Sequence, residues 1–274
     1  MMDVFLFVFY FVGLFIAVCQ DLKRREIDDW LNLLLGVGGG VFLVYGILFG
    51  EDLRGVFVLL SLVVVVFCVQ MFLYKGGVFA GGDAKLLFAM TPIFFVGSFR
   101  YSMISLGVFL LLLSVVGAFY GLVYVSVLYV LNFNRVNFEM KKYVSKVYFK
   151  LGLCLGVVCM FGGLFSLLSL LFGAWLILLV SLYVFVKGIE NVVMVRRIDG
   201  KMLMEGDWLA ESVEVDGRVI GTGVGLSGKD VLLLRGKRVL IKDGIPFAPV
   251  FAISFLLFFL LDKIGFAEIV SWII

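Results

Sequence analysis

The chain of 274 residues is 63% hydrophobic and 16% charged, with 30 Phe, 3 Pro, no His and a net charge of +3. Soluble domains are about 45–50% apolar and about 25% charged, so a mean hydropathy of +1.17 leaves too little polar surface to coat a globule, and most of the chain belongs in lipid. The lack of His excludes Ser-His-Asp and Cys-His triads and imidazole acid–base or metal chemistry, and the small net charge does not point to nucleic acid as a partner.

A helix needs about 20 apolar residues to cross a bilayer. Residues 4–20 supply a first, short span. It ends in Gln20-Asp21-Leu22-Lys23-Arg24-Arg25 rather than at a small-residue cleavage site, and no basic stretch precedes it. It is therefore expected to remain as a helix and not to act as a signal peptide. Residues 31–50 and 55–74 read as the second and third spans. Residues 84–97 read as a fourth, short and kinked at Pro92, and 101–131 as a fifth, longer than the bilayer requires. The uncharged stretch 151–186 is too long for one helix and just sufficient for a hairpin, with turning places at Gly162-Gly163 and 166–173. A last span starts near Phe247 and ends at Asp262-Lys263, and an apolar tail, 264–274, is expected in the interface.

Charge asymmetry orients these spans. An outer N-terminus and a hairpin at 151–186 put Lys23, Arg24, Arg25, Lys75 and Lys85 inside. The basic residues between Arg135 and Lys150 and the whole polar segment after Lys187 join them. Only Arg54, Arg100 and Lys263 stay outside. The polar segment, 188–245, reads as a small α+β module with strands at 192–197, 212–215, 218–222 and 238–242. Asp-Gly turns fall at Asp199-Gly200 and Asp216-Gly217. Ser227-Gly228-Lys229-Asp230 reads as a helix cap. The expected fold is thus an all-α polytopic membrane protein of six to eight spans, with a cytoplasmic α+β domain inserted before the last helix. The expected division is 1–187, 188–245 and 246–274.

Cys19, Cys68, Cys154 and Cys159 lie in apolar runs without a CxxC pair, so they read as small hydrophobes, not as zinc ligands or a disulfide framework. Phe5, Phe7, Phe9 and Phe11 read as lipid-facing or packing residues. Carboxylates at the membrane edge are the chemically informative residues, because burying them is costly. Asp21 closes the first span, and Asp83 follows the third in Gly76-Gly77-Val78-Phe79-Ala80-Gly81-Gly82-Asp83-Ala84-Lys85. The orientation puts both at the same depth on the cytoplasmic side. Two carboxyls held close share one proton, which is how an acid pair divides general-base and general-acid work on water. The neighbouring glycines permit positive φ and close approach of backbone to a substrate. Asp21 as a helix-end charge and Asp83 as a first-turn acid are the plain structural alternatives. Arg25 and Lys85 read either as interfacial anchors or as cations tuning the pair. Asp29 reads as structural, and Glu26, Asp28, Glu51 and Asp52 as solvated charges.

Ala80-Gly81-Gly82-Asp83-Ala84-Lys85-Leu86-Leu87 resembles the GxGDxKL motif of type IV prepilin peptidases and archaeal preflagellin peptidases, which are membrane aspartic proteases of the GxGD class. Asp21-Leu22-Lys23-Arg24-Arg25-Glu26-Ile27-Asp28-Asp29 resembles that family's D-x3-R-x-I-x-[ND] motif. Gly244-Ile245-Pro246-Phe247-Ala248-Pro249 is similar to the IPFxP stretch that opens its last helix. The resemblance implies that Asp21 and Asp83 are the catalytic pair, with Arg25, Lys85, Gly81 and Gly82 as substrate-binding or tuning neighbours, and it implies no cofactor and no metal. It implies cleavage of a short basic leader from a membrane-inserted type IV pilin-like or archaellin precursor at the cytoplasmic face. Ala80 departs from the motif's first Gly. The absence of the paired CxxC motifs of many bacterial members predicts cleavage without N-methylation and fits the archaeal branch. A proton- or ion-coupled transporter using the same carboxylates is the alternative from another class; it predicts internal repeats, and none is visible.

Overall fold

The computed structural model describes residues 4–50, 54–162, 166–215, 217–221, 225–242 and 244–263. Expectations for Glu51, Asp52, Gly163, Asp216, Thr222 and the tail 264–274 fall outside these residues. The chain divides into two compact units, 1–121 with 245–274, and 122–244.

The first unit is a helical bundle of α1 (Val4–Arg24), α2 (Asp29–Phe49), α3 (Arg54–Lys75), α4 (Gly81–Ala89), the first two-thirds of α5 (Phe99–Leu131) and α10 (Ala248–Lys263). Leu6, Tyr10, Leu14 and Ala17 recur at helical spacing on α1 and bury one stripe, while Phe5, Val8 and Phe15 face outward. This is the pattern of a helix with protein on one side and lipid on the other. Lipid is as apolar as Leu, so burying apolar area does not drive such helices together; small residues that admit close packing do. Gly13 lies against Leu35, and Gly39 lies against the Tyr10 ring and hydroxyl. Tyr10 is fully buried. Its hydroxyl stands 3.0 Å from the carbonyl oxygens of both Leu35 and Ala89. One side chain thereby joins α1 to α2 and to the C-terminal end of α4, where a helix leaves its carbonyls unpaired.

The stretch 84–97 is not one kinked span. Nine residues form α4, the helix ends at Met90, and Thr91–Phe94 form a 3-10 turn with Pro92 near its start. Proline cannot donate to the preceding turn, so the helix stops instead of bending. The element packs against α2 and α3 and leaves Leu86, Leu87, Met90 and Phe94 inaccessible, while Lys85 and Phe88 stay exposed.

In the second unit α6 (Phe133–Val144) packs on α8 (Leu167–Val193) through Val136, Met140 and Gly188. α7 (Val147–Phe161) and α8 pair antiparallel: Gly152 meets Val180, Gly156 meets Ile177, and Met160 meets Gly173. The apolar stretch 151–186 thus folds as a helical hairpin. β1 (Val195–Asp199), β5 (Arg238–Lys242) and β2 (Trp208–Leu209) form an antiparallel sheet in the order β1-β5-β2, and β3 (Val213–Val215) pairs with β4 (Arg218–Ile220). α9 (Gly228–Leu233) carries the capping box foreseen at Ser227 and Asp230. The first strand begins three residues later than the expected 192, because α8 continues through Val193. Strand β2 is too short to show a two-residue period and was not foreseen. Glu190 on α8 binds Lys242 of β5 and Lys187, each at 2.5 Å, which ties the sheet to the helical hairpin.

Among the described residues five helices, α1, α2, α3, α5 and α8, are long and apolar enough to cross a membrane, and α6 with α7, bent by 77°, would count as a sixth. The protein is a multi-pass membrane protein with a small strand-containing region near its C-terminal end.

Candidate active site

Asp21 stands on the last turn of α1. It is the only charged residue on that helix's buried stripe, continuing Tyr10, Leu14 and Ala17, and it is 6% exposed. Its Oδ2 accepts the backbone N–H of Ala248 at 2.8 Å, and the N–H of Phe247 points to the same carboxyl. These are among the first N–H groups of α10, which no intrahelical carbonyl can satisfy. Asp21 therefore caps a helix more than two hundred residues away, at its positive dipole end. The IPFxP-like segment supplies those donors. The positive charge of Arg25 also acts on Asp21. Arg25 has a φ of 60° and donates its N–H to the Asp21 carbonyl at 2.9 Å, so the left-handed turn that ends α1 sits directly beside the carboxyl.

Asp83 lies in the first turn of α4 and reaches back to the N–H of Ala80, the residue that precedes the helix. That is half of a capping box. Ala80 has a φ of −69°, so the replacement of the motif's first Gly costs no backbone strain. The expectation of positive φ through this glycine-rich stretch holds only at Gly77, with φ 68°. Gly81 and Gly82 are helical. Gly82 faces the α1–α2 turn, where a Cβ would make ordinary contact with the Ile27 backbone at 3.7 Å. The start of α4 is thereby brought against the α1–α2 turn, and the two carboxyls with it. Burial first, and the charge of Asp21 second, push the Asp83 carboxyl up to about 7. A carboxyl that keeps its proton near neutrality beside a second carboxyl is the arrangement that can give and take a proton in one turnover.

Of the two cations, Lys85 does not face the pair. Its Nζ binds Asp29 at 2.6 Å and joins the start of α2 to α4, on an exposed surface where such a bridge contributes little. Asp28, expected as a solvated charge, is a hub: its Oδ2 accepts from Gln20 at 2.9 Å, Arg24 at 2.9 Å and Trp30 at 3.0 Å. Its N–H donates to Gln20 Oε1 at 3.0 Å. The Arg24 and Trp30 hydrogen bonds hold its carboxyl below the usual range. This knot fixes the turn that carries Asp21, and the only trace of it in the sequence is a polar cluster at the end of an apolar run. Tyr10 was likewise missed, since one Tyr in an aromatic-rich helix carries no distinguishing pattern. Among the described residues no three His, Cys, Asp or Glu groups are placed to hold a metal ion, and all four cysteines are free thiols.

Fold and site together define a multi-pass membrane protein with one buried and one partly buried carboxyl at the helix ends of one bundle. Residues 8–122 match the type IV leader peptidase family, so this segment of the chain is similar to that family of peptidases. The matched segment contains both aspartates. No curated protein and no solved structure matches the chain.

Proposed function

We propose that this protein is an aspartic endopeptidase that removes the short basic leader from type IV pilin-like or archaellin precursors, working at the cytoplasmic face of the membrane. The observation that carries the reading is the joint placement of Asp21 and Asp83. They sit 62 positions apart in sequence, in one bundle, close enough for the charge of one to hold the proton of the other.

The two carboxyls are not equivalent. N–H donors favour a carboxylate over its acid. Asp21 faces two of them at a helix N-terminus, and Asp83 faces one. The shared proton therefore rests on Asp83. A water between the carboxyls gives its proton to Asp21 and attacks the scissile carbonyl, while Asp83 protonates the carbonyl oxygen. Asp83 then recovers the proton as the tetrahedral intermediate collapses, and Asp21 passes its own to the leaving amine. Every proton is accounted for by the pair, and the cycle returns to its start.

The test is co-expression of a pilin-type precursor with the full chain and with Asp21→Asn and Asp83→Asn. Both variants are expected to insert and to leave the precursor uncleaved. Cleavage by either would remove that residue from the pair.

A further inference from the structure

Beside the start of α10 the bundle is open. α3 and α5 diverge there and leave an apolar groove of about 580 Å³. Cys68 and Phe72 of α3 form one wall, Ser114 and Gly117 of α5 the other, and Phe79 and Phe247 close its end. The mouth faces outward: Cys68 is exposed and Phe72 is 76% exposed.

Two features distinguish this groove from ordinary lipid-facing surface. The first is its closed end. The Phe79 and Phe247 rings lie 5.7 Å apart. Phe247 carries a backbone N–H directed at Asp21, and Phe79 immediately precedes Ala80, whose N–H meets Asp83. Whatever fills the groove touches the two segments that hold the carboxyls. The second is the α5 wall. Ser114 and Gly117 line the groove three positions apart on one face of α5, and Gly107 and Gly121 share that face outside the lining. A Cβ on Gly117 would stand 3.0 Å from the Phe247 ring, whereas at Gly107 and Gly121 it would meet nothing within 4 Å. Beside Leu110 and Leu113 of the same wall, Ser114 and Gly117 leave one place where the backbone of another helix can come close.

We propose that this groove seats the apolar helix of the precursor, packed between α3 and α5, so that the residue leaving the helix at the Phe79–Phe247 end presents its peptide bond to Asp21 and Asp83. The inference rests on the peptidase reading and adds the place where the substrate binds. Side-on entry from the bilayer follows from it, because the groove opens between two spans. The polar residues of the leader then lie beyond the apolar segment, at the end of the bundle where the carboxyls are.

Crosslinking and kinetics test this together. In full-length protein with Asp83→Asn and with Cys19, Cys154 and Cys159 replaced by Ser, Cys68 is left as the single thiol. A co-expressed pilin-type precursor carries one cysteine in the first two turns of its apolar segment. Oxidation is expected to join the two through Cys68, and the crosslink is expected to disappear when the precursor cysteine is moved to the far end of the segment. In the active protein, Ser114→Trp narrows the groove from its α5 wall. It is expected to raise KM for the full precursor at least tenfold with kcat little changed. Gly107→Trp, on the same face but outside the groove, is expected to leave both unchanged. Absence of the Cys68 crosslink, together with unaltered kinetics in Ser114→Trp, would overturn the groove while Asp83→Asn still abolishes cleavage. Cleavage by Asp83→Asn would instead overturn the peptidase reading and the groove with it.

Discussion

The Asp21 carboxylate accepts the N–H of Ala248 at 2.8 Å across 227 positions of sequence. That hydrogen bond closes the bundle: the last turn of the first helix is fixed to the first turn of the last one. It also means that the residue proposed to activate water is held by backbone, whose position no side-chain rotamer can alter.

Ala248 is the first residue of α10, where proline is well tolerated by the helix itself. Ala248→Pro removes the donor and sets a CH2 group against Asp21 Oδ2, whereas Ala248→Gly keeps the N–H. Cleavage is expected to fall by roughly a hundredfold in the proline variant, in line with the loss of a hydrogen bond to a charged group, about 1.5–3 kcal/mol. In the glycine variant it is expected to stay within a few-fold of the parent. Precursor cleavage in membranes, with circular dichroism to verify helix content, separates the two.

The proton on Asp83 gives a pH dependence with a definite sign. Burial and the Asp21 charge raise its carboxyl to about 7, so the proton is bound below that pH and lost above it. The proposed cycle begins with Asp83 protonated; kcat/KM is therefore expected to decline as pH rises through about 7. An infrared carboxylic-acid band should follow the same titration and be missing in Asp83→Asn. Asp21→Asn removes the repelling charge, and the band is expected to titrate at lower pH. A band indifferent to Asp21→Asn would separate the two residues.

Asp83→Asn and Asp21→Asn each leave size and shape nearly unchanged while removing proton transfer, a contribution of about 10²–10⁴-fold. Quantified cleavage in purified form is expected to fall by at least that much for each variant, and the double variant is expected to be little worse than either alone, because the pair acts as a unit.

Asp28→Ala undoes three side-chain hydrogen bonds at the α1–α2 turn. Nothing in that turn touches substrate in the proposed cycle, but it positions the turn of α1 that ends in Asp21. A misplacement of about 1 Å can cost up to about 10²-fold in rate. A loss of kcat with KM preserved, and with expression intact, is the expected outcome.

Tyr10→Phe leaves the carbonyls of Leu35 and Ala89 without their buried hydroxyl partner. Such a loss costs about 1–3 kcal/mol. Thermal unfolding in detergent is expected to shift downward, and Gly39→Ala, which drives a methyl group into the same ring, is expected to shift it further.

Much of the helical architecture was legible in the sequence because lipid imposes a simple rule: a backbone without water must satisfy itself within a helix. The runs at 4–20, 31–50 and 55–74 therefore read out nearly as α1, α2 and α3. The stretch 84–97 did not, because its hydrophobicity signals burial in protein and not contact with lipid. Composition is the same for both; only packing against α2 and α3 tells them apart. Strand β1 was misplaced for a similar reason, since β-branched Val192 and Val193 fit a strand by propensity but belong to the end of α8.

For the candidate site, local sequence was enough to single out Asp21 and Asp83 as candidates, because an acid at the edge of an apolar run is costly wherever it stands and so marks itself. The IPFxP-like segment was equally visible. Only the tertiary structure decided that Asp21 caps the helix this segment opens, that Lys85 turns away to Asp29, that Asp28 is a hub, and that an open groove reaches Phe79 and Phe247. Charge and hydrophobicity are properties of single residues and survive in one dimension. Hydrogen-bond partners and cavities are properties of pairs brought together by the fold, and no run of letters holds them.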